Sequence, residues 1–384
     1  MRAVLKALCT AAAIIAVGVF MSGRADVQAQ TQGVGPTLAG MIIDQTDAQL
    51  RAEWSASDFA NAQPLDLRAA YNPQAAAPQL SGTPVQTLGA APSSIAAGDN
   101  SNFLYDPSDA AAPSLAPLLD APNAFGTSGL RFSSSRNTPS NSATDNAYPN
   151  RTIGKLFFKD PANNSFVCSA SVIRHRIVAT AGHCVHSGNG SPTGWYHAWV
   201  FVPSFRSGVA PFGNWIAATV FTTTTWYAGG GGVPNAADYA MLEMRDNAAG
   251  QRIGANITGF LGWITNSLLG NHVHMMGYPC NLDSCNIMHQ VSAGSGPANG
   301  NNTVIYGSDA RGGSSGGPWI QNFGDNYVCT SGCTANSAGR LQVTAVTSYG
   351  PVATTPLYQG ASIPDSRWVA VYNAVCAHRV GNCS

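Results

Sequence analysis

Three short patterns in this 384-residue chain hold side chains that could do chemistry together. The first is VCSASVIRHRIVATAGHCV, residues 167 to 185, a strand-like run ending in the small-residue turn Thr180-Ala181-Gly182 before His183. The second is DYAML, where Asp238 stands at the mouth of an apolar strand. The third is GGSSGGP, where Ser314 and Ser315 sit among four glycines. Acyl transfer needs a serine whose proton an imidazole can take, an acid that holds the imidazole's tautomer, and backbone donors aimed at a developing oxyanion. Histidine, aspartate and serine supply the side chains. A glycine two residues before the nucleophile keeps the backbone bare, so that the N–H groups of Gly313 and Ser315 can point at one spot. Taken singly, each residue also has a structural reading: a capped histidine in a glycine turn, a strand-edge charge that deters aggregation, a plain loop. Their joint occurrence favours the chemical one.

TAGHC, DYAML and GGSSGGP, in that order, resemble the catalytic motifs of the chymotrypsin-like (trypsin-fold) serine peptidases. GKLFF, VCSAS, TAGHC and GYP also occur together, so the likeness is most of all to bacterial secreted peptidases of the glutamyl-endopeptidase type, over residues 148–384. The resemblance implies His183 as general base and acid, Asp238 as its orienting partner, Ser315 as nucleophile, and Gly313 with Ser315 as oxyanion donors. It further implies that Ser348, with Tyr349 and Gly350, lies on a strand that pairs with substrate backbone by β-addition. Protein or peptide substrates are expected, with no cofactor and no metal.

The departures concern activation and specificity. In the trypsin branch an aspartate that pairs with a newly cut amino terminus precedes the nucleophile, and this chain has Ser314 there. Asp309 lies six residues before Ser315, where a carboxylate in trypsin-like enzymes selects Arg or Lys on the acyl side of the cut. Because a buried carboxylate without a cationic partner is costly, basic residues are the slightly favoured preference. Thr347, before Ser348, is not the histidine that would receive a glutamyl carboxylate.

Other readings compete. Gly313 to Gly317 also fits GxSxG, with Asp365 and His378 downstream in α/β-hydrolase order. That turn needs a helix straight after the serine, and Gly316-Gly317-Pro318 breaks helices. His272 and His274 would share a strand face and could hold a metal, but no third ligand is near in sequence. CNLDSC and CTSGC lack the second pair that zinc-finger spacing requires. A secreted pseudo-protease that binds proteins or surfaces without cutting is the alternative of a different class.

The elements that must position these residues are short. TIGKLFF (152 to 158), YHAWVFV (196 to 202), YAMLEM (239 to 244), HVHMMG (272 to 277) and LQVTAVTSYG (341 to 350) are apolar alternations separated by Gly, Asn and Pro turns. Many short strands with frequent turns indicate an all-β architecture, here two antiparallel β-barrels packed across a cleft. His183 and Asp238 would come from the first barrel and Ser315 from the second. After residue 148 only the end reads as helix: Pro364 and Asp365 suit a first turn, and Trp368, Val371, Tyr372 and Val375 fall on one face.

Upstream, residues 1–29 have the layout of a secretory signal peptide: Arg2 and Lys6, an apolar run from Ala7 to Phe20, then Val27-Gln28-Ala29. A secreted or periplasmic monomer, not inserted in a membrane after cleavage, is expected. Residues 30–147, rich in Ala, Pro, Ser and Asn, read as a largely extended pro-segment or linker, except for a short amphipathic helix within Gln45–Phe59 carrying Leu50 and Trp54. That segment has four basic and ten acidic groups, whereas residues 148–384 have twelve basic and eight acidic. Neither half carries the basic stripe that nucleic-acid binding needs. Beyond Cys9, eight cysteines fall in four close pairs, Cys168 with Cys184, Cys280 with Cys285, Cys329 with Cys333 and Cys376 with Cys383, which suits disulfides in an oxidising compartment.

Overall fold

The computed structural model describes residues 26–27, 38–72, 85–90, 92–93, 102–103, 130–137, 143–294, 296–324, 341–354 and 357–384. The signal segment lies almost wholly outside these residues, as does the expected pair Cys329 and Cys333. Among the described residues no helix is long and apolar enough to cross a membrane.

Alternation of apolar residues becomes a closed barrel in the first β unit. Strands Ile153–Lys159, Ser165–Val172, Ile177–Thr180, Ala240–Met244, Trp215–Thr223 and His197–Pro203 pair antiparallel in a ring, the last returning to the first. Phe158, Val167, Trp199 and Leu242 are fully buried there, and side chains of that size each contribute about 1.5–3 kcal/mol on burial. In the second unit, strands Gly262–Trp263, Gln342–Val346, Pro318–Gln321, His272–Gly277, His289–Gly294 and Phe132–Arg136 form one sheet. A ladder of Thr303–Gly307 with Tyr358–Ser362 accompanies it, and Val273, Met275, Tyr306 and Trp319 fill the core between. The all-β architecture expected from the sequence is therefore the one observed.

The carboxyl-terminal helix spans Ser366–His378, capped by the Asp365 side chain on the Arg367 N–H, with Trp368, Val371 and Val375 buried. Disulfides join Cys168 to Cys184, Cys280 to Cys285 and Cys376 to Cys383.

The segment before residue 148 buries more than its composition promises. Strand Leu38–Ile42 adds antiparallel to Thr219–Thr223. The amphipathic stretch is two helices, Asp47–Ala52 and Ala56–Asn61, because Ser55 and Asp58 form a capping box that starts a second one. Trp54 stacks on Phe59 at 4.5 Å, and both rings cover the outward face of Phe157. Strand Phe132–Arg136, whose single apolar residue gives almost no periodic signal, pairs with His289–Ala293 and so belongs to the second sheet rather than to a linker.

Candidate active site

His183 lies in a single 3₁₀ turn, Gly182–Cys184, directly after strand Ile177–Thr180, and Cys184 ties that turn to Cys168 on the neighbouring strand. Gly182 is required there: a Cβ would stand 2.6 Å from the Trp226 ring and 3.0 Å from Asp238 Oδ1. Asp238, fully buried before strand Ala240–Met244, accepts from the His183 backbone N–H through Oδ1 at 2.8 Å. Its Oδ2 faces His183 Nδ1, also at 2.8 Å, and accepts the Ser348 hydroxyl at 2.6 Å. The Asp238 N–H donates to Ser362 Oγ at 3.0 Å. A carboxylate oxygen facing Nδ1 favours the imidazole tautomer with its proton on Nδ1, which leaves Nε2 as the acceptor nitrogen.

The serine loop comes from the other β unit, between strands Thr303–Gly307 and Pro318–Gln321. The Ser314 N–H donates to Arg311 O at 3.1 Å, and the Gly317 N–H to Ser314 O at 2.9 Å. Gly313 has φ +94°, a region closed to most side chains, and a Cβ would lie 2.5 Å from Tyr278 O. Among the described residues, neither the Gly313 nor the Ser315 N–H donates to a backbone carbonyl. Gly316 abuts the turn before His183, since a Cβ on it would lie 2.8 Å from the Ala181 N.

Two devices that sequence reasoning missed clamp this loop. Ser169, on strand Ser165–Val172 of the first unit, donates its N–H to Ser315 O at 2.7 Å and its hydroxyl to Gly313 O at 2.8 Å. Its Oγ also accepts the Tyr278 N–H at 2.9 Å. From the opposite side, the Gln359 amide donates to Ser314 Oγ at 2.5 Å while its carbonyl accepts from Ser308 Oγ at 3.0 Å. The sole sequence signal for Ser169 is its place right after Cys168. Gln359 has none.

The nucleophile candidate makes no hydrogen bond to the His183 imidazole. Ser315 Oγ donates to the backbone carbonyl of Leu65 at 3.1 Å, and His183 Nε2 is buried without a hydrogen-bond partner among the described residues. Cys168, His183 and Cys184 cluster closely enough for a metal, but both sulfurs are consumed in the disulfide.

Asp309 is fully buried; its backbone carbonyl accepts from Asn281 Nδ2 at 2.9 Å. Burial lowers the pKa of His289, while its hydrogen bond to Asp283 and the nearby charges of Asp283 and Asp309 oppose that shift. The Thr347 hydroxyl accepts from Trp319 Nε1 at 2.9 Å. Ser348, Tyr349 and Gly350 are buried; strand Gln342–Val346 ends before them, Tyr349 forms a bridge to Gly360, and Gly350 begins the short strand Gly350–Pro351. His272 and His274 do share a face, with ring centres 6.0 Å apart, and His274 packs on Phe323; no further ligand joins them among the described residues.

No protein-family model matches the chain. It is similar to a glutamyl endopeptidase of Bacillus licheniformis, with 27% identity over 193 residues, 49% of this chain and 54% of the relative. The chain thus spans about half the length of that curated relative. Among solved structures it is similar to a thermostable serine protease, AL20, from an extremophilic microorganism, with 26% identity, 60% of this chain and 98% of that chain covered, and a TM-score of 0.49. It is also similar to the protease Anisep of Arthrobacter nicotinovorans, with 25% identity, 59% and 96% covered, and a TM-score of 0.48.

Proposed function

We propose that the chain is a secreted serine endopeptidase that works through an acyl-enzyme. The observation that carries this reading is the buried pair of His183 Nδ1 and Asp238 Oδ2 at 2.8 Å, beside the loop that carries Gly313 and Ser315. In the reaction, the Ser315 oxygen bonds to the scissile carbonyl carbon as its proton passes to His183 Nε2. The carbonyl oxygen, now an anion, accepts from the Gly313 and Ser315 N–H groups. Collapse of the tetrahedral species breaks the C–N bond, and the imidazolium gives its proton to the leaving amine. Water then repeats the sequence on the ester, releasing the acid and restoring the serine. Asp238 keeps the imidazole oriented and answers its transient charge.

The finer preference for basic residues on the acyl side rests on Asp309, a buried carboxylate six residues before the nucleophile. The curated relative's name points instead to glutamyl substrates, but the hydroxyl of Thr347 is already engaged by Trp319. Fluorogenic peptides that differ only at the residue before the cut decide this, and equal turnover of Arg and Glu peptides defeats the basic preference.

The enzyme reading is tested by a fluorophosphonate that phosphonylates activated serines, with the modified peptide located by mass spectrometry. Labelling at Ser315, abolished in Ser315→Ala and strongly slowed in His183→Ala, supports it. Secreted, processed protein that binds peptides yet never labels would support a non-catalytic binder.

A further inference from the structure

We propose that residues 63–69 of the chain are a built-in blocking strap, which occupies the substrate cleft with the chain direction opposite to that of a substrate and keeps the enzyme latent without being cut. The proposal rests on Ser315 being the nucleophile.

The path of the strap is set by backbone hydrogen bonds on both sides of the cleft. Gln63 and Pro64 pair in parallel with Phe166 and Val167, and the Leu65 N–H donates to Val167 O at 3.3 Å. Leu65 O then receives the Ser315 hydroxyl at 3.1 Å. Beyond it, Leu67 O accepts the Gly350 N–H at 2.9 Å, and Arg68 and Ala69 pair in parallel with Gly350 and Pro351. Tyr358 Oη donates to Ala69 O, and the Asn72 N–H donates to Asn299 Oδ1 at 2.8 Å. Leu67 and Tyr71 pack on a cluster formed by Tyr349 and Tyr358. Asp66 and Pro64 lie over Gly312, where an added Cβ would meet their Cβ atoms at 2.8 and 3.1 Å.

The direction of travel decides between substrate and strap. If Ser348 to Gly350 holds the acyl side, a substrate must run from Gly350 toward Ser315, antiparallel to that strand, and its leaving side continues past His183. The strap meets Ser315 first and Gly350 afterwards. With that polarity, the side on which a substrate's acyl portion would lie is filled by residues that follow the bond in sequence. The Ser315 hydroxyl donates to the peptide oxygen of Leu65. With the hydroxyl bonded to the peptide oxygen and the chain reversed, the strap touches Ser315 without taking the register that acyl transfer needs.

The strap also explains the orphaned imidazole. A buried polar atom without a partner is uncommon and asks for a functional account. His183 Nε2 lacks its partner because Leu65 O has taken the Ser315 hydroxyl, and the strap completes a latent arrangement from one backbone carbonyl. Upstream, the strap is tethered by strand Leu38–Ile42 and by Trp54, whose Nε1 donates to Ala198 O at 2.8 Å. A short tether gives an effective concentration on the order of millimolar, so weak individual contacts suffice to keep the cleft occupied.

The test compares fluorophosphonate labelling of the intact secreted chain, a Leu65→Pro variant and a Ser315→Ala variant. Proline at 65 removes the N–H given to Val167 O, and the two adjoining prolines disfavour the observed path. The expected result is slow labelling of the intact chain and labelling of Leu65→Pro faster by about tenfold or more, the ratio for a free-energy change near 1.4 kcal/mol. Equal, rapid labelling of both chains overturns the strap while leaving Ser315 as nucleophile. Absence of labelling in both overturns the enzyme reading and the strap with it. A second measurement guards against a misfolded variant: a synthetic peptide of residues 61–72, added to processed enzyme, should inhibit competitively in the millimolar range and be recovered whole. Cleavage of that peptide at a substrate-like rate, or no inhibition at that concentration, overturns the proposal.

Discussion

Replacing Ser169 by alanine removes a single oxygen that lies on the opposite barrel from the nucleophile. In the structure that oxygen donates to Gly313 O at 2.8 Å and accepts the Tyr278 N–H at 2.9 Å, with Ser169 itself fully buried. Its loss leaves a carbonyl and an N–H in a dry site, each costing roughly 1–3 kcal/mol of stability if no water replaces the bond. The Gly313 carbonyl is also what orients the peptide following the Gly313 donor, at φ +94°. Loss of a whole oxyanion donor costs about 10²–10³ in kcat. Loosening one donor while the Ser169 N–H still holds Ser315 O should cost less, about 10–100-fold, comparable with an ångström of misplacement. Because the oxyanion exists only in the transition state, kcat should fall while KM stays nearly constant. The assay is steady-state hydrolysis of a peptide ester, made in both the parent and the Leu65→Pro background, with kcat followed against pH. The pH profile should keep its shape, since His183 and Asp238 are untouched. Unchanged kcat with only a lower unfolding midpoint would refute the positioning role, as would a rise in KM alone.

Three further outcomes are expected. Asp238→Asn should lower kcat by about 10⁴ through the wrong imidazole tautomer while the protein stays folded, as circular dichroism would check. Gly313→Ala should abolish activity, because its Cβ would meet Tyr278 O at 2.5 Å and Cys280 Sγ at 2.6 Å; full activity would show that the loop has another conformation in solution. Lys155 is buried between the Phe157 and Phe205 rings, 4.9 and 4.5 Å from its ammonium, and burial pulls its pKa from 10.5 down to about 7. The unfolded chain therefore binds this proton more readily between those values, so the group's contribution to stability rises with pH across that window and its penalty is complete below it. Lys155→Met should accordingly stabilise most in neutral and acidic buffer, with the advantage fading toward pH 10.5 in chemical denaturation curves.

What the sequence made legible followed from strong local signals. Strands such as Ile153–Lys159 and Ala240–Met244 announced themselves by apolar runs between turn residues. His183 and Asp238, 55 positions apart, are brought into hydrogen-bonding contact because each ends or begins a strand of the same barrel. Two of the residues missed, Leu65 and Ser169, act wholly or partly through backbone. Leu65 contributes a carbonyl and Ser169 an N–H as well as a hydroxyl, and every residue type but proline carries both backbone groups. Strand Phe132–Arg136 was invisible for a related reason: only Phe132 is buried, and the rest of its stabilisation is a ladder on an existing sheet edge. Within 30–147, rich in Ala, Pro, Ser and Asn, only Gln45–Phe59 carries an amphipathic signal, and nothing local marks Leu38–Ile42 as a strand. A few side chains, Met41, Leu50 and Trp54 among them, anchor segment 38–61 once the barrel supplies the partner surface.

Ser314 connects these observations. A buried carboxylate at that position would need a cation to compensate its desolvation, which is what makes a newly cut amino terminus a switch in the trypsin branch. Here the hydroxyl is satisfied locally, accepting from Gln359 Nε2 and donating to Arg311 O at 2.5 Å, with Gln359 fixed in turn by Ser308. No charge has to arrive before the loop can take this shape, and it has the shape while residues 63–69 are still in the cleft. If the proposed activity holds, latency does not come from an unformed oxyanion loop. On the strap proposal restraint comes from occupancy of the cleft, and the hydroxyl of Ser315 resting on Leu65 O is where that occupancy reaches the candidate nucleophile.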